Sequence, residues 1–289
     1  VRTLKAYLQL TRPANLVTAL ADILAGLAIA GYTFADASAW PLLGATLGLY
    51  GGGVVMNDVF DAELDAIERP ERPIPSGKVS VQAGRIMGLA LLAMGIILAN
   101  RVGFQSGLVA LLIALSTIVY NRWAKHHFFM GPLVMGLCRG GNLLLGMSIF
   151  SGAIPQWGWL AIVPIVYIGA ITMISQDEVH GGKQKTLYLA AFLYLSVSLT
   201  QLLVGYSQGN LMATVPFVLL HLWLIGRPLW NALQNPIGPL IGKAVKAGVI
   251  SLIVMNASWC MVFGLWPVAL AVLGLLPISL GLAKAFAVT

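Results

Sequence analysis

Residues 38–65 read SAWPLLGATLGLYGGGVVMNDVFDAELD, twenty mostly apolar residues up to Asn57 and then Asp58, Asp61, Glu63 and Asp65 within eight. The first part suits the hydrocarbon layer of a bilayer, which a helix crosses in about 20 apolar residues. The second part belongs in water or in a site that needs charge. Outward from this stretch the apolar pattern repeats, with further spans expected at 15–34, 83–99, 106–121, 131–150, 159–175, 187–204, 210–226, 244–263 and 265–282. That makes ten. The fourth is short, and the last two part only near Gly264, so nine is the alternative. No strand alternation is sustained, which disfavours a β-barrel. The 32 glycines and 14 prolines suit helices that pack closely on small residues and tolerate kinks. We expect an all-α polytopic membrane protein of nine or ten transmembrane helices, with residues 1–289 as a single integral membrane domain.

Composition agrees. The chain is 58% apolar and 9% charged, with a mean hydropathy of +0.87. A soluble domain is about 45–50% apolar and about 25% charged, so a soluble enzyme is excluded. Of seventeen basic residues, Arg101 alone lies opposite the N-terminal face and Arg139 lies inside a span, which leaves fifteen on one side. By the positive-inside rule that face, with the N-terminus, is cytoplasmic. The net charge of +7 therefore reports topology and not nucleic-acid binding. Cys138 and Cys260 fall within apolar runs and read as packed thiols, without a disulfide or a metal site.

Six of the ten acidic residues fall between Asp58 and Glu71. If the helix continues to Asp65, then Asp58, Asp61 and Asp65 stack on one face, with Asn57 beside them. Carboxylates held that close repel unless a cation sits among them. Oxygen ligands in this number suit Mg2+ completed by water and phosphate. The blander reading is an acidic helix end at the interface. Arg69 and Arg72 follow, in a loop stiffened by Pro70, Pro73 and Pro75.

A second acidic loop, Ser175 to Lys185, follows the sixth span on the same face and holds Asp177 and Glu178. As neighbours on a helix those two would point about 100° apart, so one of them faces the site. Lys183 is either a phosphate contact or a positive-inside anchor. After the fourth span, Lys125 is a candidate diphosphate contact and Tyr120 a hydroxyl or aromatic wall, while His126 and His127 read as interfacial. Arg139 and Asn142 share a face of the fifth span. An arginine in lipid turns inward, and Asp22 in the first span is its candidate partner, in a functional or a structural role.

These residues carry a resemblance to the UbiA superfamily of intramembrane prenyltransferases. Asn57-Asp58-x-x-Asp61-x-x-x-Asp65 is similar to its first aspartate-rich motif, and Arg72-Pro73-Ile74-Pro75-Ser76-Gly77, Arg12-Pro13-x-Asn15 and Tyr120 to Lys125 extend the similarity. The resemblance implies helices around a central cavity and transfer of an isoprenyl group from a polyprenyl diphosphate to a lipophilic acceptor, aromatic or alcohol, with Mg2+ assisting diphosphate departure. It implies that Asn57, Asp58, Asp61 and Asp65 hold Mg2+ and diphosphate, with Asp177 and Glu178 as the second metal pole. Arg72 and Lys125 would neutralise diphosphate oxygens, with Lys183, Arg139 and Asn142 as further diphosphate or cavity contacts. Asn15 would line the wall near the reaction centre, where Tyr120 is the candidate hydroxyl or aromatic wall named above.

The second motif departs from the family pattern, since Ser175, Glu178 and Gly182 stand where three aspartates belong. This altered form looks like the EboC-like branch of secondary-metabolite clusters. It suggests a bacterial or organellar inner membrane and partner proteins of a biosynthesis or export cluster. Two rival readings stand beside the transferase: a non-catalytic isoprenoid- or metabolite-binding component, and a secondary transporter. Against the transporter, the acidic cluster lies at the membrane edge, and no pair of broken helices occupies corresponding halves.

Overall fold

The computed structural model describes residues 2–35, 37–176 and 183–286. Its helices run in the order α1 (Arg2–Leu10), α2 (Pro13–Ile29), α3 (Trp40–Phe60), α4 (Ala62–Glu68), α5 (Val81–Asn100), α6 (Phe104–Arg122), α7 (Met130–Met147), α8 (Ala153–Trp157), α9 (Ile162–Ser175), α10 (Gln184–Ser207), α11 (Leu211–Gln234), α12 (Gly238–Val262) and α13 (Trp266–Ala285). Each of the ten expected spans falls on a helix. Among the described residues seven are long and apolar enough to cross a membrane on their own, counting α8 and α9 as one, and the bent pair α1–α2 passes as a unit. Helices α3 and α7 are outside that set because they carry the polar groups of the interior: Tyr50, Asn57 and Asp58 on one, Arg139 and Asn142 on the other. An interior helix is solvated by its neighbours and need not be apolar all round.

Two hydrophobic clusters share α2 and α7 as their seam. One joins them to α9–α13, the other to α3, α5 and α6. The seam is tight because glycines let backbones touch. A Cβ on Gly26 would collide with the Leu143 carbonyl, and one on Gly146 would lie 2.5 Å from the Ile23 carbonyl. The same device joins α3 to α5, where a Cβ on Gly48 would lie 2.7 Å from the Leu91 carbonyl. Close approach of this kind drives helix association in lipid, where apolar burial alone gains little. In the other half, Tyr167 Oη sits 3.0 Å from the Gly248 carbonyl, 2.7 Å from Ser251 Oγ and 3.2 Å from His221 Nε2, a neutral hub joining α9, α11 and α12.

Some boundaries differ from expectation. Helix α11 continues past 226 to Gln234, through Arg227 and Pro228, and α12 starts at Gly238 instead of 244. Charges and prolines ended the apolar windows, but a helix satisfies its own backbone and extends beyond the hydrocarbon. The helix after the second span does not run straight to Asp65. It breaks at Asp61 (φ −92°, ψ 6°), and α4 resumes at Ala62.

Candidate functional site

The chain reversal at the acidic end of α3 is fixed by a small apolar core. Ile74 and Val79 of the proline-rich loop pack with Ala6 and Leu10 of α1 and with Val55 and Val59 of α3. Arg72 sits within this anchored loop and turns inward. Its Nη1 donates to Asp65 Oδ2 at 2.7 Å and lies 3.5 Å from Asp58 Oδ1.

Arg12 meets the same carboxylate from the other side, donating to Asp58 Oδ1 at 2.7 Å. Its backbone explains how. Pro13 follows it, and a residue before proline avoids the right-handed helical region. Arg12 adopts φ 47°, ψ 69°, which breaks α1 from α2 at an angle of 47°. A non-glycine residue in the left-handed region is strained and tends to mark a functional position.

Asp61 is held by Asn57 Nδ2 at 2.8 Å and by Lys125 Nζ at 2.5 Å, the lysine lying in the short turn after α6. Arg69 lies 3.7 Å from Asp65 and is half exposed. Arg12, Arg69, Arg72 and Lys125 thus surround Asp58, Asp61 and Asp65, and supply the cations that the repulsion argument assigned to a metal. No three His, Cys, Asp or Glu side chains among the described residues form a ready cage for an ion. The donor set still fits Mg2+, which takes one or two carboxylates and completes its shell with water and phosphate oxygens. The site also fits an anion: Arg72 Nε is buried and has no hydrogen-bond partner among the described residues. A buried unpaired guanidinium donor is costly without an acceptor.

Beneath this mouth lies a cavity of about 160 Å³ between α3, α6 and α7. Arg12, Asn57 and Tyr120 line its charged end, Leu49, Ile113 and Met135 its apolar wall, and Arg139 and Asn142 its inner end. The inner end rests on a buried network. Arg139 Nη1 donates to Asp22 Oδ2 at 2.5 Å and Nη2 to Thr18 at 2.7 Å. Asn142 Nδ2 donates to Asp22 Oδ2 at 3.2 Å, and Asn256 Nδ2 to Asp22 Oδ1 at 2.7 Å. The Arg139 guanidinium also lies over the Tyr50 ring, 5.0 Å from its centroid.

The structure therefore brings Asn57, Asp58, Asp61, Asp65, Arg72, Lys125, Tyr120, Arg139 and Asn142 to one cavity and its mouth, and pairs Asp22 with Arg139. Asn15 is not among the lining residues; it sits in the first turn of α2, where its carbonyl accepts from Thr18 Oγ1 at 2.7 Å. Lys183 is exposed before α10 and does not line the cavity. Asp177 and Glu178 lie outside the described residues. Cys138 is not simply packed core: it lines the cavity, with Sγ 3.7 Å from Thr117 Oγ1. Sequence reasoning missed Tyr50 and Thr117, and took in Arg12 and Asn121 only as part of motif segments, with no role of their own. For Arg12 the signal was present, an arginine before proline at the start of a span.

The UbiA prenyltransferase family profile matches residues 19–236, about three quarters of the chain. The chain belongs to this family. Among its relatives, the digeranylgeranylglyceryl phosphate synthase of Saccharolobus solfataricus is 31% identical over 60% of this chain and 61% of its own length. That of Ignicoccus hospitalis is 33% identical over 62% and 58%. The match thus spans about three fifths of each of these two relatives. A third such synthase, from Methanothrix thermoacetophila, is 30% identical over 73% of this chain and 86% of its own length. Among solved structures, one of digeranylgeranylglyceryl phosphate synthase in membranes superposes with a TM-score of 0.69 at 21% identity, covering 92% of this chain and 100% of that one. A UbiA homologue from Archaeoglobus fulgidus bound to GPP and Mg2+ gives 0.64 at 17% identity, covering 86% and 99%.

These relatives correct two expectations. The EboC-like placement falls, because the similarity runs to archaeal digeranylgeranylglyceryl phosphate synthases, and nothing in these relatives supports a secondary-metabolite cluster. The bacterial or organellar inner membrane falls for the same reason, since the relatives are membrane proteins of archaea. The misreading came from the altered loop at 175–182, a few positions that outweighed the rest of the chain.

Proposed function

We propose that the protein transfers a geranylgeranyl-class group from its diphosphate to the free hydroxyl of a prenylated glyceryl phosphate, forming an ether. The observation that carries this reading is the cluster of three aspartates and four cations at the mouth of a cavity with an apolar wall. The alcohol acceptor is supported by the relatives' activity. A synthase whose product bears two geranylgeranyl groups takes an acceptor that already has one and still has a hydroxyl.

Asp58, Asp61 and Asp65, with Asp177 and Glu178 from the second loop, would hold Mg2+. Bound there, Mg2+ supplies Lewis-acid neutralisation of the diphosphate. The protein's own part is electrostatic and steric. Arg12, Arg72 and Lys125 stand ready to exchange carboxylate partners for diphosphate oxygens, with Arg72 Nε offering a donor that is already free. Fixed cations aimed at the departing group stabilise charge as it develops. The allylic carbon–oxygen bond breaks with its electron pair leaving on diphosphate. The hydroxyl oxygen donates a pair to the allylic carbon, and its proton passes to the leaving diphosphate. Tyr120 and the wall of Leu49, Ile113 and Met135 keep water from the allylic cation.

Purified protein in lipid nanodiscs, given radiolabelled geranylgeranyl diphosphate, Mg2+ and geranylgeranylglyceryl phosphate, should yield a labelled lipid ether. Release of free geranylgeraniol alone, with no ether at any acceptor concentration, would overturn the alcohol-acceptor reading.

A further inference from the structure

Asn121, on the last turn of α6, lines the cavity and is 3% exposed. Its Nδ2 donates to the Gly53 carbonyl on α3 at 3.0 Å. That bond fixes the orientation of the amide. A carbonyl can only accept, so the NH2 end must face Gly53 and the oxygen must face away. The contact is tight as well, since a Cβ on Gly53 would lie 2.7 Å from Thr117 Cγ2. With α3 and α6 pressed together there, the amide has little room to turn. Its Oδ1 is buried and has no hydrogen-bond partner among the described residues. A buried acceptor left unpaired is costly.

Only a donor can complete that oxygen. Ionised diphosphate presents acceptors, and an isoprenoid tail presents neither donors nor acceptors. Of the two organic substrates, the acceptor brings the O–H that reacts; water of the Mg2+ shell is the other donor near the mouth, and the acceptor kinetics and Mg2+ requirement measured below tell the two apart. The position is suitable: Gly53 is one helical turn before Asn57 on α3, and Asn57 binds the Asp61 carboxylate. Asn121 itself lines the cavity, so a hydroxyl that reached its Oδ1 would sit beside the diphosphate mouth. Thr117 lies one turn earlier on α6, but its hydroxyl faces Cys138 Sγ at 3.7 Å.

We propose that Asn121 is the positioning residue for the acceptor alcohol, its Oδ1 accepting the substrate O–H and turning a lone pair of the hydroxyl oxygen toward the allylic carbon. This rests on the alcohol-acceptor reading and adds to it a prediction specific to one atom. The test is steady-state kinetics of Asn121→Ala and the near-isosteric Asn121→Leu in nanodiscs, with each substrate varied in turn. Loss of one buried hydrogen bond corresponds to about a tenfold to hundredfold fall in kcat/KM for the alcohol. The KM for geranylgeranyl diphosphate and the Mg2+ requirement should not change. The companion measurement uses wild-type protein and the acceptor analogue in which the hydroxyl is replaced by hydrogen. It should inhibit at least tenfold more weakly than the alcohol binds in the wild type, and that gap should vanish in the variants.

Unchanged acceptor kinetics in the variants would overturn the proposal. So would a defect confined to diphosphate or Mg2+, which would make Asn121 a ligand of the first substrate. If both variants fail to fold, the wild-type comparison decides, and a deoxy analogue as tight as the alcohol rejects the role. Failure of the wild type to make any ether would instead reject the underlying function and is read separately, in the assay without variants.

Discussion

Asp22 and Asp61 each have a basic partner at 2.5 Å, yet they are built differently. Asp22 lies within the bundle, 1% exposed, with both oxygens occupied by donors from α7 and α12. Its cation, Arg139, is in turn tied to Thr18 on α2. Asp61 lies at the break between α3 and α4, with a side chain 19% exposed and a partner, Lys125, in a turn. A closed pair in lipid fixes helices relative to one another; an open pair at the edge can trade its partner for a ligand. In the proposed function this difference separates charges that hold the fold from those that would meet diphosphate. Asp22–Arg139 has the surroundings of a structural strut, while Arg139 also forms part of the cavity's inner end.

The largest effect is expected for Asp22→Asn. Removing one member of a buried pair leaves the other charge unpaired, which costs about 3–5 kcal/mol. Thermal unfolding in nanodiscs should show a large loss of stability. The joint change Asp22→Leu with Arg139→Met should recover much of it, because no unpaired charge remains.

Asp61→Asn should do the reverse. Turnover should fall by at least about a hundredfold, the scale of a lost metal–diphosphate interaction, while the unfolding temperature hardly moves. A stability loss as large as that of Asp22→Asn would erase the distinction. Arg12→Ala comes next, with a rise of roughly tenfold in KM for the prenyl diphosphate. Its stability change should stay within about 1 kcal/mol, since the pair is partly exposed. The smallest effect is expected for Arg69→Ala, whose contact with Asp65 at 3.7 Å is half exposed. Stability should move by no more than about 0.5 kcal/mol and KM by less than about twofold, both read in the same assays.

Much of this was legible in the chain. Apolar runs placed a helix at each of the ten expected spans, including α3 and α7, whose interior polar groups keep them from being apolar throughout. The Asp22–Arg139 pair was legible because charges inside a span must find each other. The cations around the aspartates were legible only in part. Arg72 is seven residues from Asp65 and could be read locally, whereas Arg12 reaches Asp58 across 46 residues and depends on the kink before Pro13. The free oxygen of Asn121 was not legible at all. It depends on how closely α3 and α6 approach at Gly53, and one-dimensional spacing does not carry that distance. The break at Asp61 was hidden for a related reason: nothing in Asn57 to Asp65 forbids a continuous helix, and the bend follows from the packed loop behind it.

In the proposed reaction the aspartate–cation mouth drives Mg2+-dependent prenyl ether formation. The direct measurement follows labelled geranylgeranyl diphosphate with geranylgeranylglyceryl phosphate on nanodisc-embedded protein, with and without a chelator, and scores diphosphate release and ether product together. The account predicts equal amounts of both, abolished by the chelator and by Asp61→Asn. Neither product with Mg2+ present, or ether formation that survives Asp61→Asn, would contradict it.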